Sequence, residues 1–353
     1  MLSKRPDASP DMPADHTFPD TNDAMLKPMR LIVMGTGPFA LPMFNALLAS
    51  RHEVLTVITR PPRGTSGRRL PKNPMREESV AKHVPVLAPD DVNHPESIEA
   101  LRSAAPDLLV VCDYGQILSA DVLGCASLGG INLHGSLLPR HRGASPIQWA
   151  LLEGDPLTGI SVIHMTPSLD AGAVITANAT PIGRKETAVS LEKRLSLMGA
   201  DGVLEAIDRL QAAQSSGLLR DGQSFGLPQD ESKATRAPRL SKSNGIIDWS
   251  LPATSIERMR RALEPWPRTA TIFRHADQPK RLVIEDCAVL ETDLNLNQKP
   301  PGTVLRADER GIAVACGEKS VLAILQVIPE GKRSMLAADF LRGNAIHINS
   351  VLG

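Results

Sequence analysis

The stretch INLHGSLLPRHRGASPIQ, Ile131 to Gln148, decides how the rest of the chain is read. Its first four residues alternate, Ile131 and Leu133 against Asn132 and His134, and side chains two apart on a strand share a face. A buried strand therefore ends on an amide and an imidazole aimed the same way. A Ser-Leu-Leu-Pro turn follows, and then Arg140, His141 and Arg142. In open α/β sheets the carboxyl ends of the strands border the ligand crevice, which makes Asn132 and His134 candidate site residues. The alternative reading is a hydrogen-bonded core histidine beside a turn asparagine.

Outward from this stretch, LIVMG (31–35), EVLTVIT (53–59), DLLVVC (107–112) and GISVIHM (159–165) alternate with helix-like segments. Continuous apolar runs read as parallel strands buried on both faces, so the expected fold is α/β, a Rossmann-like doubly wound parallel sheet. AGAVITANATPI (171–182) reads as a later strand pair with a turn. Leu191, Leu195, Met198, Val203, Ile207 and Leu210 then recur at helical spacing and close the domain. From residue 214 the periodicity gives way to Ser, Gly, Asp, Pro and Lys, the composition of a linker. Beyond it, SIERMRRALEP (255–265) looks helical, and TATIF, RLVIEDCAVL, GTVLRAD, GIAVAC and VLAILQVIP look like closely spaced strands of a small OB-like barrel. The expected organisation is a disordered extension over 1–28, a catalytic domain over 29–213, a linker over 214–239 and the barrel domain over 240–353.

Composition narrows the function. Lys plus Arg equals Asp plus Glu at 39 each, so an anionic partner must be met by a local patch rather than by bulk charge. Cys112, Cys125, Cys287 and Cys316 lack C-x-x-C spacing and a neighbouring histidine cluster, which points to free thiols and not to a metal site. No apolar run reaches the about 18 residues that span a bilayer. The first 24 residues carry no apolar signal-peptide core, so a soluble cytoplasmic protein without membrane contact is expected.

Gly35-Thr36-Gly37-Pro38-Phe39-Ala40 follows a strand and satisfies G-x-G-x-x-A, a dinucleotide fingerprint. The second strand ends in Ile58-Thr59-Arg60 where the fingerprint wants an acid, and Pro38 removes one amide donor. A tight strand-to-helix turn is the favoured reading. An NADP-dependent oxidoreductase, with Arg60 near a 2′-phosphate, stays as the remote alternative.

The string from Gly130 to Gln148, continued by Ile163-His164-Met165 and Ser168-Leu169-Asp170-Ala171-Gly172, resembles the folate-dependent formyltransferase family. Asn-x-His-x-Ser-Leu-Leu-Pro with Leu-Asp-x-Gly downstream carries the resemblance. GTGPFA, DYGQIL (113–118), LSKSNGIIDWS (240–250), EPWPRT (264–269), PGTVL (301–305) and PEGKRSM (329–335) extend it over most of the chain. The resemblance implies a catalytic triad of Asn132, His134 and Asp170, and a folate loop of Ser136, Leu137, Leu138 and Pro139. It also implies backbone contacts from Asp113 and Tyr114 to a pterin. The co-substrate would be 10-formyltetrahydrofolate, with neither metal nor NAD. Asp113 stands where the family more often has a small residue. His141 replaces an aromatic and is expected to be an exposed loop residue.

The attacking amine is read from the cations. Arg60, Arg63, Arg68, Arg69, Lys72 and Arg76 lie in one Gly/Pro-rich segment without an acid, which favours a phosphate-rich partner over a solvated face. The resemblance places a tRNA-contacting insertion here, with Arg68 and Arg69 as main contacts and Arg63 and Lys72 as secondary ones. Lys242, Lys332 and Arg333 are expected to track phosphates from the C-terminal side. The implied reaction formylates methionine on initiator methionyl-tRNA, in translation initiation, by a monomer. Alternative acceptors for the same triad are glycinamide ribonucleotide, an amino sugar nucleotide or water.

Overall fold

The computed structural model describes residues 27–61, 72–219, 223–275, 278–291 and 299–353. Residues 1–26 of the expected extension, and Arg63, Arg68 and Arg69 of the basic segment, lie outside the described residues.

The first sheet has seven strands: β1 (Arg30–Gly35), β2 (Glu53–Ile58), β3 (Val86–Leu87), β4 (Leu108–Cys112), β5 (Gly130–His134), β6 (Leu157–His164) and β7 (Val174–Pro181). Their order is β3-β2-β1-β4-β5-β6-β7. The first five are parallel, as the apolar runs predict. Leu31 and Val33 face one core while Ile32 and Met34 face the other, and Leu108 and Val110 divide from Leu109 and Val111 in the same way. Helices cover both faces: α1 (Leu41–Ala49), α2 (Pro74–Ala81), α3 (Pro95–Ser103), α4 (Ala120–Leu123), α5 (Pro146–Glu153) and α6 (Ala188–Ser215). Thr187 begins α6 with a capping box to Ser190, satisfying backbone groups that a helix start leaves open.

Two expectations change. β6 runs antiparallel to β5, so the sheet is mixed. An unbroken apolar run reports burial on two faces, and β6 is buried from Thr158 onward, but such a run carries no direction. Residues 174–181 form one strand paired antiparallel to β6 along its length, not a strand pair. The segment lacks the glycine that a two-residue hairpin turn needs, and Asn178 simply pairs with Ile160.

The C-terminal part begins with α7 (Ala253–Ala262). All five strand-like runs are present, in an antiparallel sheet of β8 (Ala270–His275), β9 (Gln278–Leu290), β10 (Val304–Asp308), β11 (Gly311–Cys316) and β12 (Ser320–Pro329). The order is β10-β11-β12-β9-β8, with β13 (Met335–Leu336) added on β12. This is a curled, barrel-like sheet, covered by α7 and by α8 (Ala337–Gly343). Ile256 and Met259 of α7 belong to the same apolar cluster as Leu31 and Ile324, so one continuous core serves both parts.

Phe340 of α8 is 1% exposed and meets Phe273 edge-on, with ring centroids 5.2 Å apart. Truncating such a ring costs about 3–5 kcal/mol. Phe340→Ala is expected to lower unfolding stability by that amount in urea titration.

Candidate active site

β5 delivers Asn132 and His134, and the β6–β7 loop brings Asp170 to them. The Asn132 Nδ2 donates toward Asp170 Oδ1 at 3.5 Å, and His134 Nδ1 lies 3.7 Å from Asp170 Oδ2. His134 Nε2 faces the carbonyl oxygen of His141 at 2.9 Å. A carbonyl only accepts, so Nε2 carries the ring hydrogen and Nδ1 turns to the carboxylate. Both side chains are nearly closed to water, at 6% and 10% exposure, and a carboxylate so placed requires donors. Its strongest one is the Gly143 N–H, which donates to Asp170 Oδ2 at 2.8 Å. Only glycine fits there: Gly143 has φ +130°, and a Cβ would stand 2.5 Å from the Ala237 carbonyl oxygen.

The segment expected as a linker is a strap over this site. Residues 142 and 236 form a bridge, the Arg142 N–H donates to Thr235 O, and the Ala237 N–H donates back to Arg142 O. Gln229 Nε2 donates to the carbonyls of Asp170 and Gly172 at 2.8 and 2.7 Å, fixing the loop that carries the acid. The linker composition reflects missing periodicity; hydrogen bonding to the site loops replaces the apolar packing.

The cations that follow β5 are clamps. Arg140 Nη2 reaches Asp155 Oδ1 at 2.7 Å and Glu153 Oε2 at 3.1 Å. Arg142 binds Gln229 and Glu231. His141 is corrected: it is buried at 2% exposure, not exposed, because Nε2 bonds Asp155 Oδ2 at 2.7 Å. His141, Glu153 and Asp155 have metal-ligand spacing, but the Arg140 guanidinium already fills the cationic place between the two carboxylates.

A cavity of about 490 Å³ opens over Asn132, His134 and Asp170, and Asp113 and Tyr114 also line it. Ser136, Leu137, Leu138 and Pro139 are not among its lining residues: they form the turn behind it, where Ser136 Oγ donates to Arg140 O at 2.7 Å. Ile117 and Leu169 on its walls are exposed apolar side chains, suited to a flat ring system. Tyr114 is buried with its hydroxyl unpartnered among the described residues, and burial pushes that phenol up to about 12. The lining residues Glu192 and Arg239 were not singled out from sequence. Glu192 reads as one more polar residue on a long helix, and Arg239 as linker.

The glycine-rich turn serves this cavity. A Cβ on Gly37 would lie 1.8 Å from Asp113 Oδ2, and the Gly37 N–H bonds that carboxylate. A dinucleotide pyrophosphate at this turn would meet a carboxylate, which counts against the oxidoreductase reading. Although Asp113 stays open to water at the cleft mouth, crowding by the walls pushes its carboxyl up to about 6, against the Gly37 N–H and the Arg239 charge. Of the expected cations, Lys72, Lys242, Lys332 and Arg333 are exposed.

Residues 29–207 match the formyl transferase family model, and 239–345 match the formyl transferase C-terminal domain. The chain belongs to the formyl transferase family. A relative from Rhodopirellula baltica, named methionyl-tRNA formyltransferase, is 42% identical over 329 residues, spanning 91% of this chain and 96% of that protein. Among solved structures, an N-formyltransferase from Helicobacter canadensis aligns with TM-score 0.58 at 13% identity, covering 84% of this chain and 98% of that one. HypX from Aquifex aeolicus, in complex with tetrahydrofolic acid, aligns with TM-score 0.53 at 17% identity, covering 89% and 46%. At such identities the two structures share the fold. This chain is a formyl-transferring enzyme.

Two outcomes follow from the site. Asp170→Asn keeps the shape but loses the charge beside His134, and kcat is expected to fall about a hundredfold or more with an unchanged circular-dichroism spectrum. Asp113 holds its proton more tightly in the folded chain, at about 6 against an ordinary aspartate value of about 3.9, so ionising it costs stability as pH rises through that range. Asp113→Asn keeps an acceptor for Gly37; it is expected to melt higher than wild type above about pH 6, the gap closing below about pH 4.

Proposed function

We propose that the chain transfers the formyl group of 10-formyltetrahydrofolate to the α-amino group of methionine on initiator methionyl-tRNA, using Asn132, His134 and Asp170. The observation that carries this reading is the meeting of those side chains at one cavity, in a chain 42% identical to a methionyl-tRNA formyltransferase along nearly its whole length.

The folate supplies an electrophilic formyl carbon, and the chain's residues manage charge and protons around it. One Asn132 Nδ2 hydrogen points toward Asp170 Oδ1, leaving the other to donate to the formyl oxygen as negative charge develops there. A donor of this kind is typically worth about 10²–10³ in rate. Peptide α-amino groups titrate at about 7.7–8.0, so the acceptor must shed a proton in the reaction. His134 Nδ1 can take that proton, because Nε2 already carries one and Asp170 Oδ2 faces the resulting imidazolium, and can return it to N10 as the bond between the formyl carbon and N10 breaks and tetrahydrofolate leaves.

The choice of amine rests on the relatives' names and on the cations. Arg68 and Arg69 are assigned as main tRNA contacts from sequence, Arg63, Lys72, Lys242, Lys332 and Arg333 as further ones. No metal or NAD enters this chemistry.

The test offers labelled formyl-folate with charged initiator tRNA, glycinamide ribonucleotide, amino sugar nucleotides or buffer alone. Formylation of the methionyl-tRNA in preference to the small amines is expected. Transfer to a small amine or to water instead would overturn the proposed acceptor. In the same assay, reversing the charges of Arg68 and Arg69 together is expected to raise the tRNA KM and flatten its salt dependence, with folate affinity intact. Unchanged tRNA kinetics would remove that loop from the account.

A further inference from the structure

The loop after β5 contains a buried side chain that stands outside the cavity. His141 does not line the cavity, and its ring is buried. Its backbone is left-handed, φ +62°, a conformation uncommon for residues with a Cβ. Two contacts hold residue 141 there. The His141 N–H donates to Thr235 Oγ1 at 2.8 Å. The ring Nε2 bonds Asp155 Oδ2 at 2.7 Å. Asp155 is itself fixed, by Arg140 Nη2 on its other oxygen at 2.7 Å and by its own N–H on the Ala150 carbonyl of α5 at 3.0 Å.

The ring has one consistent protonation. Nδ1 is buried without a partner among the described residues, so a hydrogen there would be a donor with no acceptor. The hydrogen therefore sits on Nε2, donated to Asp155. With its N–H and its ring both pinned, residue 141 has one backbone group left, and that carbonyl accepts the Nε2–H of His134 at 2.9 Å.

We propose that His141 is a positioning residue for formyl transfer: its Asp155-anchored ring holds the residue 141 carbonyl on His134 Nε2, which fixes the tautomer that turns Nδ1 toward Asp170. The formyl-transfer arm of its test rests on the function proposed above. Without the anchor the turn relaxes, the carbonyl leaves His134, and the neutral imidazole divides between two tautomers. In the Nδ1–H form the nitrogen beside Asp170 can no longer accept a proton from the amine.

Two substitutions probe the ring. His141→Phe keeps its bulk and deletes the donor; His141→Gln keeps an amide donor for Asp155. Asp155→Ala removes the anchor from the other side and serves if His141→Phe does not fold. Nitrogen-15 spectra of histidine-labelled full-length chain at about pH 9, where histidine is ordinarily neutral, report the His134 tautomer, its signal being identified by its loss in His134→Gln. Wild type is expected to hold the Nε2–H form, while His141→Phe and Asp155→Ala show a mixture. In those two variants kcat is expected to drop about tenfold or more with the KM for folate and acceptor within about twofold, because misplacing a reacting group taxes the chemical step. His141→Gln should recover most of the rate, and combining His141→Phe with Asp155→Ala should add little to either alone.

A pure Nε2–H tautomer in both His141→Phe and Asp155→Ala, or a kcat within twofold of wild type in both, overturns the proposal. The spectra need no substrate. A wild-type chain that fails to formylate methionyl-tRNA would therefore defeat the function proposed above, while the tautomer result judges His141 on its own.

Discussion

The hydrogen bond from the Gly143 backbone to Asp170 Oδ2 is the constraint on which the site depends. Asp170 comes from a loop 38 residues beyond Asn132, takes a left-handed backbone at φ +50°, and carries its charge where water scarcely reaches. A carboxylate so withdrawn from water needs a hydrogen-bond donor to replace its hydration. The Gly143 N–H meets it, and only a residue without a Cβ lets the strap at Ala237 pass closely enough to fix that N–H in place. Strap, glycine and acid are one arrangement, and it sets the carboxylate beside the His134 ring.

The basic run that follows the strand ending in Asn132 and His134 is answered within the chain. Arg140, His141 and Arg142 each find a carboxylate of this chain: Glu153 and Asp155 for Arg140, Asp155 for His141, Glu231 for Arg142. These contacts fasten the loop after β5 to the end of α5 on one side and to the strap on the other. The charges of Arg140 and Arg142 are met inside the protein. A phosphate-rich partner must be met by other residues, and Lys242, Lys332 and Arg333 are at least exposed to meet it.

How much of this was legible varies with the physics of each element. The strands of the first sheet show in the sequence because burial on both faces demands unbroken apolar runs, and the strands of the second show through their close spacing. Direction does not show: β6 has the same apolar texture parallel or antiparallel, and its pairing is decided by where the loop after β5 returns the chain. Asn132 and His134 can be placed on one face from their spacing alone. Asp170 cannot be attached to them by any local rule, and only the resemblance of the longer motif brought it in. The strap's hydrogen bonds do not show in the linker composition, because polar, proline-containing sequence signals only the absence of a packed periodic face, which is equally true of a free connector and of one pinned by backbone hydrogen bonds. The burial of His141 is hidden from sequence for a related reason: it depends on Asp155, fourteen residues on, just past the left-handed cap of Gly154 that ends α5.

The central claim is that Asn132, His134 and Asp170 surround a single reacting carbon. A crystal structure of the enzyme with a stable formyl-folate analogue bound tests it most directly. The account predicts the formyl oxygen within hydrogen-bonding reach of Asn132 Nδ2, about 2.7–3.2 Å, with an open path for an amine on the side of His134 Nδ1. An analogue seated with its formyl group away from these three side chains, while the enzyme remains active in the crystal, would contradict it.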